Sequence, residues 1–277
     1  MESLVERKPP LRFGERMRRE YKYDGFMSII VEGKQRIGKS SYVSQSGAEA
    51  LGEWDKDGDM LYCAKADYES LKKYIVFRPV DFLNLVLHIE EKVCLVIWDD
   101  AGYWLFALDW YLPFVKSVSR YIQLAGRQIT CLCLTTPDQD LISSKVLVSL
   151  PSMYLGRIRR DERTKDRPMD RPRAAKVYER WKYPDGHPGG VYTRWIDHFN
   201  AILPDDFYSW YKPISDQYLD VALRLMRTEV KKLTKTLGAG EAAQAQEDAY
   251  KMAGAPERYN ELEDVIKNLE ADKNEDL

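Results

Sequence analysis

Ile29-Ile30-Val31-Glu32-Gly33-Lys34-Gln35-Arg36-Ile37-Gly38-Lys39-Ser40-Ser41 is the stretch that decides the fold. A β-branched run feeds a loop that reads G-x-x-x-x-G-K-S, the phosphate-binding P-loop or Walker A pattern. Gly33 and Gly38 allow the backbone to curl so that successive N–H groups converge on phosphate oxygens. Lys39 is placed to reach the outer phosphates, and the Ser40 hydroxyl to sit on Mg²⁺. A helix beginning near Lys39 and running to about Leu51 adds its positive N-terminal end to the same anion. The expected phosphate-binding set is therefore Gly33, Lys34, Gln35, Arg36, Ile37, Gly38, Lys39, Ser40 and Ser41. A Gly/Lys-rich surface turn is the bland alternative; the strand-like run before and the helix-compatible run after argue against it.

A second leg lies downstream. Val93-Cys94-Leu95-Val96-Ile97-Trp98 is apolar without alternation, as in a strand buried on both faces of a parallel sheet, and it ends in Asp99-Asp100. This is a Walker B arrangement: Asp99 would hold Mg²⁺ with Ser40, and Asp100 would polarise an attacking water as general base. The next unbroken run, Ile129–Leu134, ends in Thr135-Thr136, either of which could contact the γ-phosphate or the attacking water, with Thr136 the preferred candidate. Arg120 lies on, and Arg127 just after, the intervening helix, expected between about 112 and 126. Arg127 is the preferred candidate for an arginine finger reaching a neighbour's site, although a basic residue in a last helical turn is also simply dipole-favourable.

The 277 residues, 44% hydrophobic and 12% aromatic, suffice for one α/β core with an appendage. No apolar run approaches the roughly 18 residues of a membrane span, and the first residues lack a signal-peptide pattern, so the expectation is a soluble, intracellular (cytoplasmic) protein. The four cysteines fall in strand-like runs, where they read as small buried apolar groups, and Cys131-x-Cys133 is not a zinc spacing. Net charge is −2, but unevenly spread: residues 157–182 hold eleven Lys/Arg against five Asp/Glu, and 241–277 hold four against eleven. A basic segment beside an acidic tail points to an anionic partner and a solvated extension.

Four regions follow: a basic N-terminal arm (1–24, with Arg12, Arg16, Arg18 and Arg19), a P-loop core (25–150), an antiparallel extension with C-terminal helices (151–236), and a linker with an acidic tail (237–277). In the core, strands at 26–31, 60–64, 74–77, 93–98 and 129–134 alternate with helices, the pattern of a mostly parallel α/β sheet. Asp55–Asp59 reads as a turn cluster. Beyond Pro151, Met153–Ile158, Ala175–Trp181 and Val191–Phe199 read as the antiparallel strands, with a turn at Asp185–Gly190. Asp205–Tyr211 and Ser215–Lys235 read as helices.

Together the three legs resemble the additional-strand (RecA/AAA-like) P-loop ATPases, and more narrowly the zonula occludens toxin-like and archaeal virus or plasmid ATPases. The resemblance covers about residues 26–150 and rests on Walker A, on Val96-Ile97-Trp98-Asp99-Asp100-Ala101, and on Leu134-Thr135-Thr136. Asp100 stands where that group usually carries Glu, and no separate sensor-2 or lid domain is visible. The resemblance implies Mg²⁺-dependent ATP hydrolysis, ATP and Mg²⁺ as cofactors, homo-oligomers, and coupling to nucleic acid, DNA ahead of RNA, in replication, transfer or packaging. Basic segments with interleaved aromatics (Tyr178, Trp181, Tyr183, Trp195) would supply phosphate contacts and stacking, with packing on the sheet as the alternative for the rings. A different class is a small-molecule nucleoside or nucleotide phosphotransferase, with Arg157, Arg159, Arg160 and Arg163 as an arginine-rich lid. A GTP switch is disfavoured: Asp99–Gly102 matches D-x-x-G, but the base-reading N-K-x-D motif is missing.

Overall fold

The computed structural model describes residues 9–57, 60–109, 111–150, 153–161, 171–182 and 188–231, apart from Leu219, Ala222, Leu225 and Glu229. The expected linker and acidic tail, and residues 162–170 of the charged stretch 159–173, lie outside these residues. The chain divides into two compact units, residues 1–212 and 213–277. The first carries the α/β fold: a seven-stranded, mostly parallel sheet with an antiparallel extension, flanked by helices.

In chain order the elements are α1 (Arg12–Lys22), β1 (Met27–Glu32), α2 (Lys39–Leu51), β2 (Glu53–Asp57), β3 (Met60–Lys65), α3 (Tyr68–Lys72), β4 (Ile75–Val76), α4 (Pro79–Leu87), β5 (Val93–Trp98), α5 (Ala101–Trp104), α6 (Pro113–Ile122), β6 (Ile129–Thr136), α7 (Ser144–Ser149), β7 (Met153–Arg160), β8 (Pro172–Lys182) and β9 (Pro188–Asn200). A last helix of the first unit, α8, covers residues 205–212, and the described residues of the second unit from 213 to 231 are helical as well.

The strand order is β4-β5-β6-β1-β7-β8-β9. The P-loop strand β1 pairs in parallel with β6 on one side and β7 on the other. Because β6 lies between β1 and β5, one extra strand separates the P-loop from the Asp99 strand. The three central strands read as unbroken apolar runs because both faces are covered: β6 is buried at all eight positions and β1 at its first five.

Three expectations are corrected. Residues 153–158 belong to the parallel part of the sheet; after β6 the chain crosses over through α7 and re-enters in the same direction beside β1. Only β8 and β9 run antiparallel to their neighbours. The strand at 60–65 is not in the main sheet but pairs with β2 in a separate hairpin, so Asp55 and Asp57 are strand residues and not turn residues.

The basic arm is more than a solvated segment. Residues 12–22 form α1, which buries Phe13 and Met17 completely. Its N-cap residue, Leu11, has no side chain able to cap, so the orphan N–H groups are met from elsewhere. Leu11 N donates to Glu49 Oε2 (2.8 Å) on α2; Arg12 N and Phe13 N donate to the Asp197 carboxylate on β9 (2.9 and 3.2 Å). Tyr42 Oη, on α2, donates to the same carboxylate at 2.7 Å. On the opposite face of the sheet the core is built around Trp98, stacked on Phe82 (4.6 Å between centroids) and edge-on to Phe114.

Candidate nucleotide site

The site forms where β1, β5 and β6 end together, at the C-terminal edge of the parallel sheet, where ligands bind in open α/β folds. Between β1 and α2 the loop takes three residues with positive φ: Gly33 (153°), Arg36 (58°) and Gly38 (108°). Close quarters add to the demand for glycine. A Cβ on Gly33 would meet Ile37 Cγ2 at 2.9 Å and the Ile158 carbonyl at 3.1 Å; one on Gly38 would meet Ala201 Cβ at 2.8 Å. No side chain caps the N-terminus of α2, which leaves its first-turn N–H groups to an anion in the loop.

Lys39 is buried, and its ammonium donates to the carbonyls of Gly33 (3.1 Å) and Lys34 (3.4 Å). Burial lowers its pKa, and the charges of Asp100 and Asp99 oppose that shift. Ser40 Oγ donates to Asp99 Oδ1 at 3.0 Å, and Thr135 Oγ1 donates to the same oxygen at 2.5 Å. Asp99 itself is buried. Thr135 Oγ1 also accepts from the backbone N–H of Asp100 (2.8 Å), tying the ends of β5 and β6 together. Asp100 sits in the left-handed region (φ 51°) as the second residue past the strand. Its side chain is reached by solvent yet stands in a recess; burial, then the Asp99 charge, push its pKa up to about 6 against the pull of Lys39.

Thus Gly33, Gly38, Lys39, Ser40, Asp99 and Asp100 are assembled around one loop. Lys34, Gln35 and Arg36 form its exposed tip, and Ile37 packs against the Gly33 position. Ser41 turns away and donates to the Ala201 carbonyl (3.3 Å). Of the two threonines, Thr135 meets the Asp99 carboxylate; Thr136 donates to the Asp138 carbonyl (2.7 Å) and lies against Gly102. Arg127 and Arg120 lie near the start of β6, across the sheet from its own loop. At about 3.3 Å per residue the eight-residue strand puts Arg127 roughly 25 Å away, so it could serve only another copy's site.

Three contributors carry no motif. Arg173, on β8, donates from Nε to the Ile37 carbonyl at 2.8 Å and so buttresses the loop from the antiparallel side. Ala201, just past β9, presses on Gly38. Tyr211, on α8, donates from its hydroxyl to Asp99 Oδ2. Its ring stands 5.6 Å from Phe77 and 6.3 Å from Phe207, and burial together with the Asp99 charge holds its pKa well above 10, so it remains a donor. Sequence spacing links none of these to the P-loop; each lies more than a hundred residues away along the chain.

The set fits a nucleotide and a divalent cation: a glycine-lined cradle, a buried ammonium, and a serine hydroxyl against a buried carboxylate. Among the described residues no cluster of three or more His, Cys, Asp or Glu offers a separate metal site, and all four cysteines are free thiols. No described helix is long and apolar enough to cross a membrane. Arg157, the first of the suggested lid arginines, is paired with Glu32 (2.5 Å), whose other oxygen accepts from Gln139 N; Arg163 lies outside the described residues.

No family model matches the chain. It is 27% identical over 138 residues to the uncharacterized protein B-251 of Sulfolobus spindle-shape virus 1, covering 47% of this chain and 51% of that protein. It is 24% identical over 148 residues to the uncharacterized protein ORF286 of Acidianus two-tailed virus, covering 51% and 46%. The chain thus spans about half the length of the curated relatives it matches. Among solved structures it is similar to the genome packaging NTPase B204 of Sulfolobus turreted icosahedral virus 2, in complexes with ATP-gammaS and with AMPPCP. Sequence identity is 12–13% and the TM-score 0.34, over 65% of this chain and 99–100% of that one.

Proposed function

We propose that this chain binds ATP with Mg²⁺ in the loop 33–41 and hydrolyses it, and that the hydrolysis is coupled to nucleic acid, DNA ahead of RNA. The observation that carries the reading is the meeting of Ser40, Thr135 and Asp99 beside a loop whose glycines leave a backbone cradle. Three elements distant in sequence converge there, which a surface turn with a chance G-x-x-x-x-G-K-S would not bring about.

In this reading the loop's N–H groups and the α2 N-terminus hold the phosphate chain. Lys39, poised on carbonyls of its own loop, moves to the outer phosphate oxygens and offsets charge that grows in transfer. Ser40 and Asp99 would hold Mg²⁺, which when bound supplies charge neutralisation at the phosphates. Asp100 accepts a proton from the attacking water, its raised pKa keeping it basic near neutrality. Thr135 and Tyr211 fix the Asp99 carboxylate from two sides, a positioning role. Thr136, facing Gly102, is the weaker sensor candidate. Arg127 acts, if at all, in the site of an adjacent copy in a homo-oligomer.

Phosphate release from ATP by the parent and by Lys39→Ala tests this, beside equilibrium binding of a fluorescent ATP analogue. The expected result is turnover reduced more than about a hundredfold, the scale of losing a main electrostatic contact in the transition state. Unchanged binding and turnover in Lys39→Ala would sink the assignment.

A further inference from the structure

On the side of the sheet that carries α1, a cleft of about 330 Å³ opens between that helix and strands β7 to β9, and its chemistry is unusual. Four guanidinium groups, from Arg12, Arg16, Arg19 and Arg194, face two carboxylates, Glu15 and Glu179. Arg12, Arg16 and Arg19 are spaced i, i+4, i+7, so one side of α1 presents all three. Arg18 points elsewhere, with Nη1 on the Gly52 carbonyl at 2.8 Å and its guanidinium over Trp54. Arg194 arrives by a separate device: the β8–β9 register shifts between Val177 and Tyr178, so Arg194 is the extra residue of a bulge, a feature that re-aims a side chain. It pairs with Glu179, and Arg16 pairs with Glu20 at 2.7 Å.

Donors outnumber acceptors here. Each guanidinium has five N–H donors and no acceptor. Arg16 Nε is buried without an acceptor among the described residues. Trp195, also on the cleft wall, turns its indole N–H inward toward Tyr42 and the Asp197 carboxylate and leaves the ring to the cleft. A buried donor left over in a native fold asks for an acceptor from outside, and an arginine-lined recess selects an anionic one. The row from Arg12 to Arg19 spans about 10 Å along the helix. A single phosphate needs no such length, whereas one nucleic-acid strand presents about three phosphates over it at 3.4 Å of rise each. The half-buried Trp195 ring, 5.4 Å from Tyr154, adds an aromatic surface of the kind bases stack on.

We propose that this cleft between α1 and the β7–β9 extension binds the phosphate backbone of a nucleic-acid strand. The proposal rests on the nucleic-acid-coupled reading above and names its contact surface: the docked helix α1 with the bulged strand β9.

The test uses the full chain and fluorescein-labelled 20-nucleotide DNA, single-stranded and duplex, with anisotropy read over a range of salt. Arg12 and Arg19 are exposed, so Arg12→Ala/Arg19→Ala removes charge without disturbing the core. Lys73→Ala/Lys116→Ala, equally exposed, removes the same charge elsewhere. The expected result is an affinity loss of about tenfold or more at low salt for the arginine pair alone. Its slope of log affinity on log salt should fall by about 1.5 to 2, one phosphate contact per arginine. Binding of the ATP analogue stays as in the parent for both variants. If the parent binds DNA and the arginine variant binds it equally well, the cleft is overturned while the coupled reading stands. Equal losses in both double variants would assign the effect to net charge and also overturn it. A parent that hydrolyses ATP yet binds neither DNA form overturns cleft and coupling together. Displacement of DNA by millimolar inorganic phosphate or AMP as readily as by unlabelled DNA would make this a small-anion site instead.

Discussion

The two halves of the sheet stand in different relations to the nucleotide site. The parallel half, β4 to β7, contributes the motif residues, and its buried strands announce themselves as apolar runs. The antiparallel half, β8 and β9, carries no motif and alternates in polarity, yet reaches the loop through Arg173 and, just past its last strand, Ala201. One half supplies the chemistry and the other the fit. A P-loop can thus be complete as a pattern and still depend, for the shape of its cradle, on residues the pattern never mentions.

That division can be broken most sharply at Ala201. Ala201→Leu would drive side-chain atoms into Gly38, whose left-handed backbone leaves little room to yield. Overpacking of this kind costs about 1 to 3 kcal/mol. The expected outcome is a loss of nucleotide affinity of about tenfold to a hundredfold, with far-UV circular dichroism unchanged. Parent-like affinity would mean that the antiparallel half is mere covering.

Acidity probes the parallel half. The proposed general base, Asp100, must be ionised to act, and burial with the Asp99 charge pushes its carboxyl up to about 6. Turnover at saturating ATP and Mg²⁺ should therefore fall about tenfold per unit below that limb, and a bound divalent cation should move the limb downward. In Asp100→Asn the limb should vanish along with most of the rate; a limb that survives in that variant assigns the base elsewhere.

Tyr211→Phe sharpens the comparison from a third direction, because this hydroxyl comes from α8. Losing one hydrogen bond to a charged group is worth about 1.5 to 3 kcal/mol where the acceptor is buried, and Asp99 keeps two other donors. The Mg²⁺ concentration needed for half-maximal nucleotide binding should rise about three- to tenfold, while binding measured in chelator stays as in the parent. A loss that is equal with and without Mg²⁺ would indicate that the ring only packs.

The smallest effect lies at the seam where α1 meets α2 and β9. Burial raises Glu49 to about 7, above its ordinary 4.5. A carboxyl that holds its proton more tightly when folded contributes fully below about 4.5, and that contribution is lost as pH rises through about 7. Glu49→Gln keeps an acceptor for Leu11 N and removes the charge. It should therefore raise the melting temperature by a few degrees at pH 8 and leave it unchanged at pH 4.5.

What could be read from the chain follows the same division. The loop, β5 and β6 were legible because double burial leaves a mark in every residue and the P-loop glycines are demanded by local backbone geometry. The direction of β7 was not, because Met153–Ile158 looks alike whether its neighbour runs parallel or antiparallel; the crossover through α7 decides it. The choice of Thr135 over Thr136 turns on which face of a pleated strand looks toward β5, and adjacent threonines give no local sign of that. Arg173, Ala201 and Tyr211 were invisible for a plainer reason: their roles are contacts across more than a hundred residues. The docking of α1 was equally hidden, because the groups that seat it, Glu49 and Asp197, lie far from it in the chain.

The pairing of β1 with strands on both flanks has a practical consequence for anyone trimming this protein. A fragment ended at residue 150, where the motifs stop, would expose one whole edge of the P-loop strand and discard the wall against which Gly38 is pressed. Removing the first 24 residues would strip Phe13 and Met17 from the interior and leave Asp197 buried with two of its donors gone. The smallest piece that keeps every contact of the site runs from α1 to Lys212, the end of the first compact unit. For this protein the piece that keeps the candidate site whole is longer than its recognisable signature by more than half.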